Sequence, residues 1–215
     1  MRGRFITFEG GEGSGKSTQA RLLAARLATH GIDPVVTREP GGSTFAEAAR
    51  RVLLDPATAP TSPLAAALLF NAARADHLAA TIRPALATGR WVLCDRFSDS
   101  TRVYQGAAGG VDAGDLEQLE RLVVGPDKPD LTILLDLDPA VGLARAGIRR
   151  ETSGTSGGAD AYEARQLEFH LKLREGFLAI AAAEPGRFVV VDAAQDPEPI
   201  AAAFWTAVGH RLGLS

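Results

Sequence analysis

The stretch Phe5-Ile-Thr-Phe-Glu9-Gly10-Gly11-Glu12-Gly13-Ser14-Gly15-Lys16-Ser17-Thr18 constrains this chain more than any other. A β-type run, Phe5 to Phe8, passes directly into Gly10, four residues and Gly15-Lys16-Ser17, and helical periodicity begins at once. The spacing G-x-x-x-x-G-K-[ST] has mechanical meaning between a strand and a helix, which is where it lies. Glycine lets the backbone turn tightly, so that N–H groups converge on phosphate oxygens with the positive end of the helix dipole behind them. Gly10, Gly11, Glu12, Gly13, Ser14, Gly15, Lys16, Ser17 and Thr18 are therefore expected to grip the polyphosphate of a nucleoside triphosphate. Lys16 would reach the terminal phosphates, and the Ser17 hydroxyl would help hold Mg²⁺. A glycine-rich turn that merely joins strand to helix is the alternative. Against it, Lys16, Lys128 and Lys172 are the only lysines, and one of them lies inside the glycine loop.

At 215 residues the chain fits one domain, 1–215, of generous size or carrying an insert. A hydrophobic content of 46% leaves room for a core that needs no staples. The net charge of −3 suggests no general nucleic-acid or membrane binder. Cys94 is the lone cysteine, set in the apolar run Trp91-Val-Leu-Cys94, where a buried and inert thiol is expected. His30, His77, His170 and His210 are far apart in sequence, so no zinc site is expected. No signal peptide or membrane span is legible, and the expected location is the cytoplasm.

Helical and apolar stretches then alternate. Helices are expected over 16–29, from Ser43 or Thr44 to about Leu54, over 64–87 with Pro84 permitting a bend, and from Asp112 or Gly114 to Val124. Further helices are expected over 139–147, 160–183 and 198–211, and strands at 34–37, 90–94, 131–135 and 188–191. The Gly/Ser-rich stretch 149–159 reads as a flexible loop. Apolar strands separated by helices predict an α/β fold with a parallel sheet covered on both faces. Ligands of such sheets bind beyond the carboxyl ends of the strands. Arg38-Glu39 and Asp95-Arg96 fall there, together with the glycine loop.

Asp95-Arg96 after an apolar strand suits a carboxylate that organises Mg²⁺. Asp136 is a rival, and Asp95 is preferred because Arg96 supplies a phosphate-binding fork at the same strand end. Arg38, Arg50, Arg74, Arg96, Arg145, Arg149 and Arg150 concentrate near strand ends and loops. Singly each reads as a surface charge; as a set they suggest a second anionic substrate. Arg149 and Arg150, at the root of the Gly/Ser loop, are expected to close over phosphates and exclude water. Phe70 and Arg74 share a helix face, although spacing alone favours a core Phe and a surface Arg. Tyr104-Gln105 is equally ambiguous in isolation.

Phe8-Glu9-Gly10, Thr37-Arg-Glu-Pro-Gly-Gly42, Leu69-Phe-Asn-Ala-Ala-Arg74, Cys94-Asp-Arg-Phe97, Ser100-Thr101, Tyr104-Gln-Gly106, Pro129 to Asp136 and Val191-Asp-Ala193 occur in that order. The ordered set, from about Arg4 to the last helix, resembles bacterial thymidylate kinases. The resemblance implies a three-layer P-loop nucleoside monophosphate kinase fold with a five-stranded parallel sheet and a mobile lid at about 145–161. It also implies Mg²⁺-dependent transfer from ATP to dTMP and a homodimer. Phe70 would face thymine, Arg74 and Gln105 would bond the base with Thr101 nearby, and Tyr104 would pack where a ribose 2′-hydroxyl clashes. Arg38, Arg50 and Arg96 would surround the monophosphate, with Glu39 among the substrate residues, and Glu12 would lie near the sugar 3′-hydroxyl. Position 12 and its neighbours are not basic, which implies a catalytic arginine from the lid. Ala161 stands where an arginine often follows the aspartate of the family, so Arg149 or Arg150 is the expected donor. The lid is also longer in Gly and Ser than expected, and Phe97 replaces the more usual Tyr or His.

Two other classes compete: a kinase of a different nucleotide or a nucleoside, and a GTPase or partitioning ATPase. Asp127-Lys-Pro-Asp130 faintly suits guanine recognition, but it precedes a strand instead of following one, so it cannot project from that strand's carboxyl end.

Overall fold

The computed structural model describes residues 2–153 and 160–214, with the backbone alone at 149, 150, 152 and 153. Five strands form one parallel sheet in the order β2-β3-β1-β4-β5: β1 (Phe5–Glu9), β2 (Val35–Arg38), β3 (Val92–Asp95), β4 (Leu131–Asp136) and β5 (Phe188–Asp192). β1 lies at the centre and is buried throughout, as a strand covered on both faces must be. Its one mid-strand hydroxyl, on Thr7, pairs with that of Thr132 on β4 at 2.9 Å.

Successive side chains of a strand point to opposite faces. Ile6, Phe8, Ile133 and Leu135 pack against α1 (Lys16–Ala28) and α9 (Pro197–Leu212) through Leu23, Leu27, Phe204 and Val208. Phe5, Val92 and Cys94 face the other layer, with Leu78, Ile82, Leu86 and Phe97. On that side α3 (Pro63–His77) continues through a π-helical stretch (Leu78–Ile82) into α4 (Arg83–Ala87). The widened turn lies just before Pro84, which has no amide hydrogen to return to the preceding turn. α2 (Thr44–Leu54) is capped by Ser43, whose hydroxyl accepts from Ala46 N, and α6 (Ala113–Val123) by Asp112. α8 (Leu167–Ala183) closes this layer with Leu173 and Phe177 against Leu134.

The expected elements form, with three differences. Residues 97–111, left unassigned in the sequence, contain the short α5 (Ser98–Thr101) and a π-helical stretch (Arg102–Ala107). α7 (Pro139–Ser153) runs beyond 147, so the backbone at 149–153 is helical and not loop. α8 begins at Leu167 instead of Asp160, because the Asp160 carboxylate accepts the amides of Tyr162 and Glu163, both at 2.8 Å, and turns the chain there. The side chains of Arg149 and Arg150, the expected lid donors, lie outside the described residues.

Register sets Phe8 against Asp95 and Asp95 against Arg38, so three strands end in one row. β1 and β3 are neighbours, yet the helices that follow them lie on opposite faces, which opens a crevice between their carboxyl ends. The Asp127–Asp130 segment lies at the other edge, where an Asp130 carboxylate oxygen accepts the Phe5 amide at 2.7 Å.

Candidate active site

The loop from Gly10 to Gly15 leaves β1 and enters α1 with left-handed backbone at Gly13 and Gly15. A side chain on Gly13 would come within 2.0 Å of Gly142 O on α7, and one on Gly142 within 2.2 Å of Glu12 O. The loop therefore has its shape fixed by backbone-on-backbone contact, and its sole lysine folds along it. Lys16 Nζ donates to Gly11 O at 2.7 Å and to Ser14 Oγ at 3.2 Å. Burial and the neighbouring Arg96 push the ammonium down to about 8, against the pull of Glu12 and Asp95; it still carries its proton at pH 7. Ser14, Gly11 and Thr18 complete the loop, with Ser14 Oγ donating to Gly11 O.

Ser17 Oγ donates to Asp95 Oδ2 across the crevice. A hydroxyl and a carboxylate meeting at a helix N-terminus suit a hard cation such as Mg²⁺, which takes few protein oxygens and keeps waters and phosphates. Among the described residues no group of three or more His, Cys, Asp or Glu gathers as an all-protein metal cage. Asp136, the rival, is held bidentate by Arg174 at 2.7 and 2.9 Å.

Arg96 follows Asp95 in left-handed backbone, φ 67°, which few non-glycine residues adopt. Its guanidinium donates to Gly10 O at 3.0 Å, Ser100 Oγ at 3.3 Å and Glu12 Oε1 at 2.7 Å, and lies over the Tyr104 ring. Tyr104 Oη donates to the same Glu12 oxygen at 2.8 Å. Burial alone would raise the Glu12 pKa, but Arg96, Lys16 and the Tyr104 hydroxyl hold it down at about 2. A charged triad thus joins the phosphate loop to the helix that follows β3.

A cavity of about 430 Å³ runs from this triad to the ends of α2 and α3. Lys16, Ser17, Asp95 and Arg96 line it together with Phe70, Arg74, Thr101, Tyr104 and Gln105, and with Arg38, Glu39 and Arg50. The sequence-predicted residues with described side chains are therefore brought together, apart from Gly10, Gly11 and Ser14, which form the loop behind, and Arg145, which was counted with the phosphate-binding arginines and does not line the cavity. Arg74 is not the surface residue that spacing suggested, being 2% exposed. Its Nε donates to Glu39 at 2.7 Å, Nη1 to Asn71, and Nη2 to Phe97 O and Thr101 Oγ1, which leaves one Nη1–H for another partner. Arg50 donates to Pro40 O, and the exposed Arg38 pairs with Glu47.

Tyr162 was missed by sequence reasoning. It lines the cavity, packs on Phe70 and edge-on to Tyr104, and its hydroxyl accepts from Gln105 Nε2 at 3.1 Å. The signal was the preceding aspartate, whose carboxylate ends a turn two residues on; a continuous helical pattern from 160 masked it. Arg21, Asp160 and Glu163 line the same space. Arg145 spans from α7 to the chain after β5, donating to the carbonyls of Ala193 and Ala194. Cys94 is buried, and burial pushes its thiol well up, which suits an inert group.

A family model described as Thymidylate kinase matches residues 8–203. A protein of Nitrobacter winogradskyi named thymidylate kinase is 53% identical over 98% of this chain and 90% of its own length. One of Bradyrhizobium diazoefficiens with the same name is 52% identical over 98% and 91%. The crystal structure of thymidylate kinase from Ehrlichia chaffeensis superposes with a TM-score of 0.75, at 32% identity, covering 97% of this chain and 99% of the other. With the phosphate loop, the Asp95-Arg96 strand end and the aromatic lining of the cavity already joined in one crevice, these likenesses have a common meaning: this chain belongs to the thymidylate kinase family.

Proposed function

We propose that the chain transfers the terminal phosphoryl group of ATP to dTMP, giving ADP and dTDP. The observation that carries this reading is one cavity lined both by a lysine-bearing phosphate loop and by aromatic and amide side chains, Phe70, Tyr104 and Gln105. The donor lies along the loop with Lys16 at its terminal phosphates. The acceptor lies with thymine on Phe70, its edge facing Gln105 and the remaining N–H of Arg74. Tyr104 stands where a ribose 2′-hydroxyl would have to fit, and Glu12, Glu39 and Thr101 border the nucleoside. Arg38, Arg50 and Arg96 surround its phosphate. Ser17 and Asp95 would hold Mg²⁺, which would supply neutralisation of the charge on the donor phosphates.

In the transfer an oxygen of the acceptor phosphate bonds to the terminal phosphorus as the bond to the leaving ADP oxygen breaks. The attacking oxygen is already an anion, so the chain needs no general base; positioning and charge neutralisation carry the rate. Arg96 and Lys16 are the fixed cations at that point. Arg149 or Arg150 is the further donor we propose for the closing lid, which would keep water from the phosphoryl group.

Finer points are proposed with it. The chain works as one domain, 1–215, in the cytoplasm, and as a homodimer. Among the described residues no helix is long and apolar enough to cross a membrane. A coupled assay with ATP against dTMP, dUMP, dCMP and thymidine tests the activity: dTMP is expected to be the preferred acceptor, and no preference for it would overturn the reading. Lys16→Ala is expected to abolish nearly all turnover, because the cation at the transferring phosphate is lost; wild-type kcat would remove Lys16 from the site.

A further inference from the structure

We infer that Glu9 is a positioning residue for this transfer: its carboxylate, where β1 meets the phosphate loop, holds the turn that presents Arg96. The inference rests on the function proposed above and on Arg96 facing the acceptor phosphate.

Glu9 ends a strand whose other residues are apolar or, like Thr7, locally paired, and it is completely buried. A carboxylate there is costly unless its oxygens are satisfied. Both are, by the same short segment. Oε1 accepts the amide of Phe97 at 2.7 Å, and Oε2 accepts the hydroxyl of Ser100 at 2.6 Å. The preceding amide, that of Arg96, bonds to Phe8 O at 2.9 Å. Two successive amides of the turn after β3 thus end on the last two residues of β1, one through backbone and one through the Glu9 side chain.

The consequence falls on Arg96. Its left-handed backbone is costly for a side-chain-bearing residue and persists only where neighbours over-determine it. Ser100 Oγ spends its one hydrogen on Glu9, so its lone pairs face Arg96 Nη1 at 3.3 Å. Glu9 therefore fixes the arginine twice: through the Phe97 amide, which sets the backbone, and through Ser100, which orients the guanidinium. An apolar residue could fill the strand position but could accept neither bond. Glu9 is joined directly to Gly10, but both bonds of its side chain go to the turn after β3, so its grip falls on the arginine for the acceptor and not on the loop for the donor.

Direct titration of dTMP and of a non-hydrolysable ATP analogue, with steady-state kinetics, would test this in wild type, Glu9→Gln, Glu9→Ala and Ser100→Ala. A displacement of about 1 Å at a positioning group costs up to about a hundredfold, so Glu9→Ala is expected to weaken dTMP and lower kcat/KM for it by roughly tenfold or more. The analogue should bind within about twofold of wild type, since the loop keeps its contacts with α7. Glu9→Gln keeps an acceptor for the Phe97 amide and should recover part of the loss. Ser100→Ala keeps the Glu9 side chain and its bond to the Phe97 amide, and should weaken dTMP by roughly threefold, which keeps the test open if Glu9→Ala does not fold. Folded Glu9→Gln and Ser100→Ala proteins with wild-type dTMP constants, or equal losses for both nucleotides, would overturn the inference. A wild-type chain that phosphorylates another monophosphate instead of dTMP would overturn the proposed substrate alone, and the Glu9 comparison would then be read with that acceptor.

Discussion

Glu12 and Glu9 are three residues apart and are driven in opposite directions by their surroundings. Burial pushes the Glu9 carboxyl up from its ordinary range, aided by the Asp99 charge and opposed by the Ser100 hydroxyl, Arg96 and the Phe97 amide. Glu12, less deeply buried and lining the cavity, is held down at about 2 by Arg96 and Lys16. A carboxylate lowered on folding stabilises the chain above its unfolded pKa, and that stability is lost as pH falls through the folded value. Glu12 should therefore contribute about 3 kcal/mol that disappears between about pH 4.5 and 2. Glu9 acts in the other sense: a carboxyl raised on folding makes stability fall as pH rises above its ordinary range. Denaturant melts of wild type and Glu12→Gln at pH 5 and pH 2.5 are expected to converge at the lower value; a constant difference would show that Glu12 is not so depressed. Phe70→Ala belongs to the same scale: it should weaken dTMP by about 1–3 kcal/mol and leave ATP unchanged, measured by titration with each nucleotide. Equal loss for both would make Phe70 a packing residue only. The loop residues 10–18 were legible because their function depends on backbone amides and local spacing. Arg74 was not, because an i, i+4 relation to Phe70 says which face it shares and nothing of Glu39, 35 residues away, which holds it inside.

Four consecutive side chains of α5 each reach a different part of the chain. Ser98 donates to Glu120 on α6, Asp99 holds Arg187 at the start of β5 at 2.6 and 2.9 Å, Ser100 donates to Glu9, and Thr101 accepts from Arg74 on α3. In sequence, Ser-Asp-Ser-Thr carries no helical signal, since polar residues of this kind favour caps and loops. Here they form one buried helical turn because every hydroxyl and carboxylate finds a partner that only the assembled sheet provides. The end of α7 was misread because the glycines and serines from Ser153 onward signal a break, whereas the helix runs as far as Ser153. The same helix carries Gly142 against the phosphate loop. Gly142→Ala would ordinarily favour a helix, yet its methyl would meet Glu12 O. It is expected to cost about 1–3 kcal/mol and to weaken ATP, read by thermal melts and nucleotide titration. Unchanged values would mean that the loop and helix can separate at no cost.

At the level of the whole molecule, the outer layer leaves apolar side chains unburied. Phe45 and Val52 on α2, Leu64 and Leu68 on α3, and Leu122 on α6, the last 82% exposed, lie on three helices of one face of the sheet. Exposed apolar residues on adjoining helices suit association of two copies, the state proposed above. Sedimentation velocity should give a dimer for wild type and a monomer for Leu68→Glu; a monomeric wild type would end that proposal. The sequence by itself determined the alternation of buried strands and helices, and hence the parallel sheet, because hydrophobic period and turn residues are local properties. It also determined the phosphate loop, whose chemistry lies in contiguous residues. Only the tertiary structure decided the strand order, which sets Asp95 beside Ser17, the inward turn of Arg74, the place of Tyr162 against Phe70 and Gln105, and the double grip of Glu9 on the Arg96 turn. Each of these is a pairing of a charge or polar group with a partner far away in the chain. Burial makes such pairs obligatory, but which partner completes each one depends on where the strands end in space.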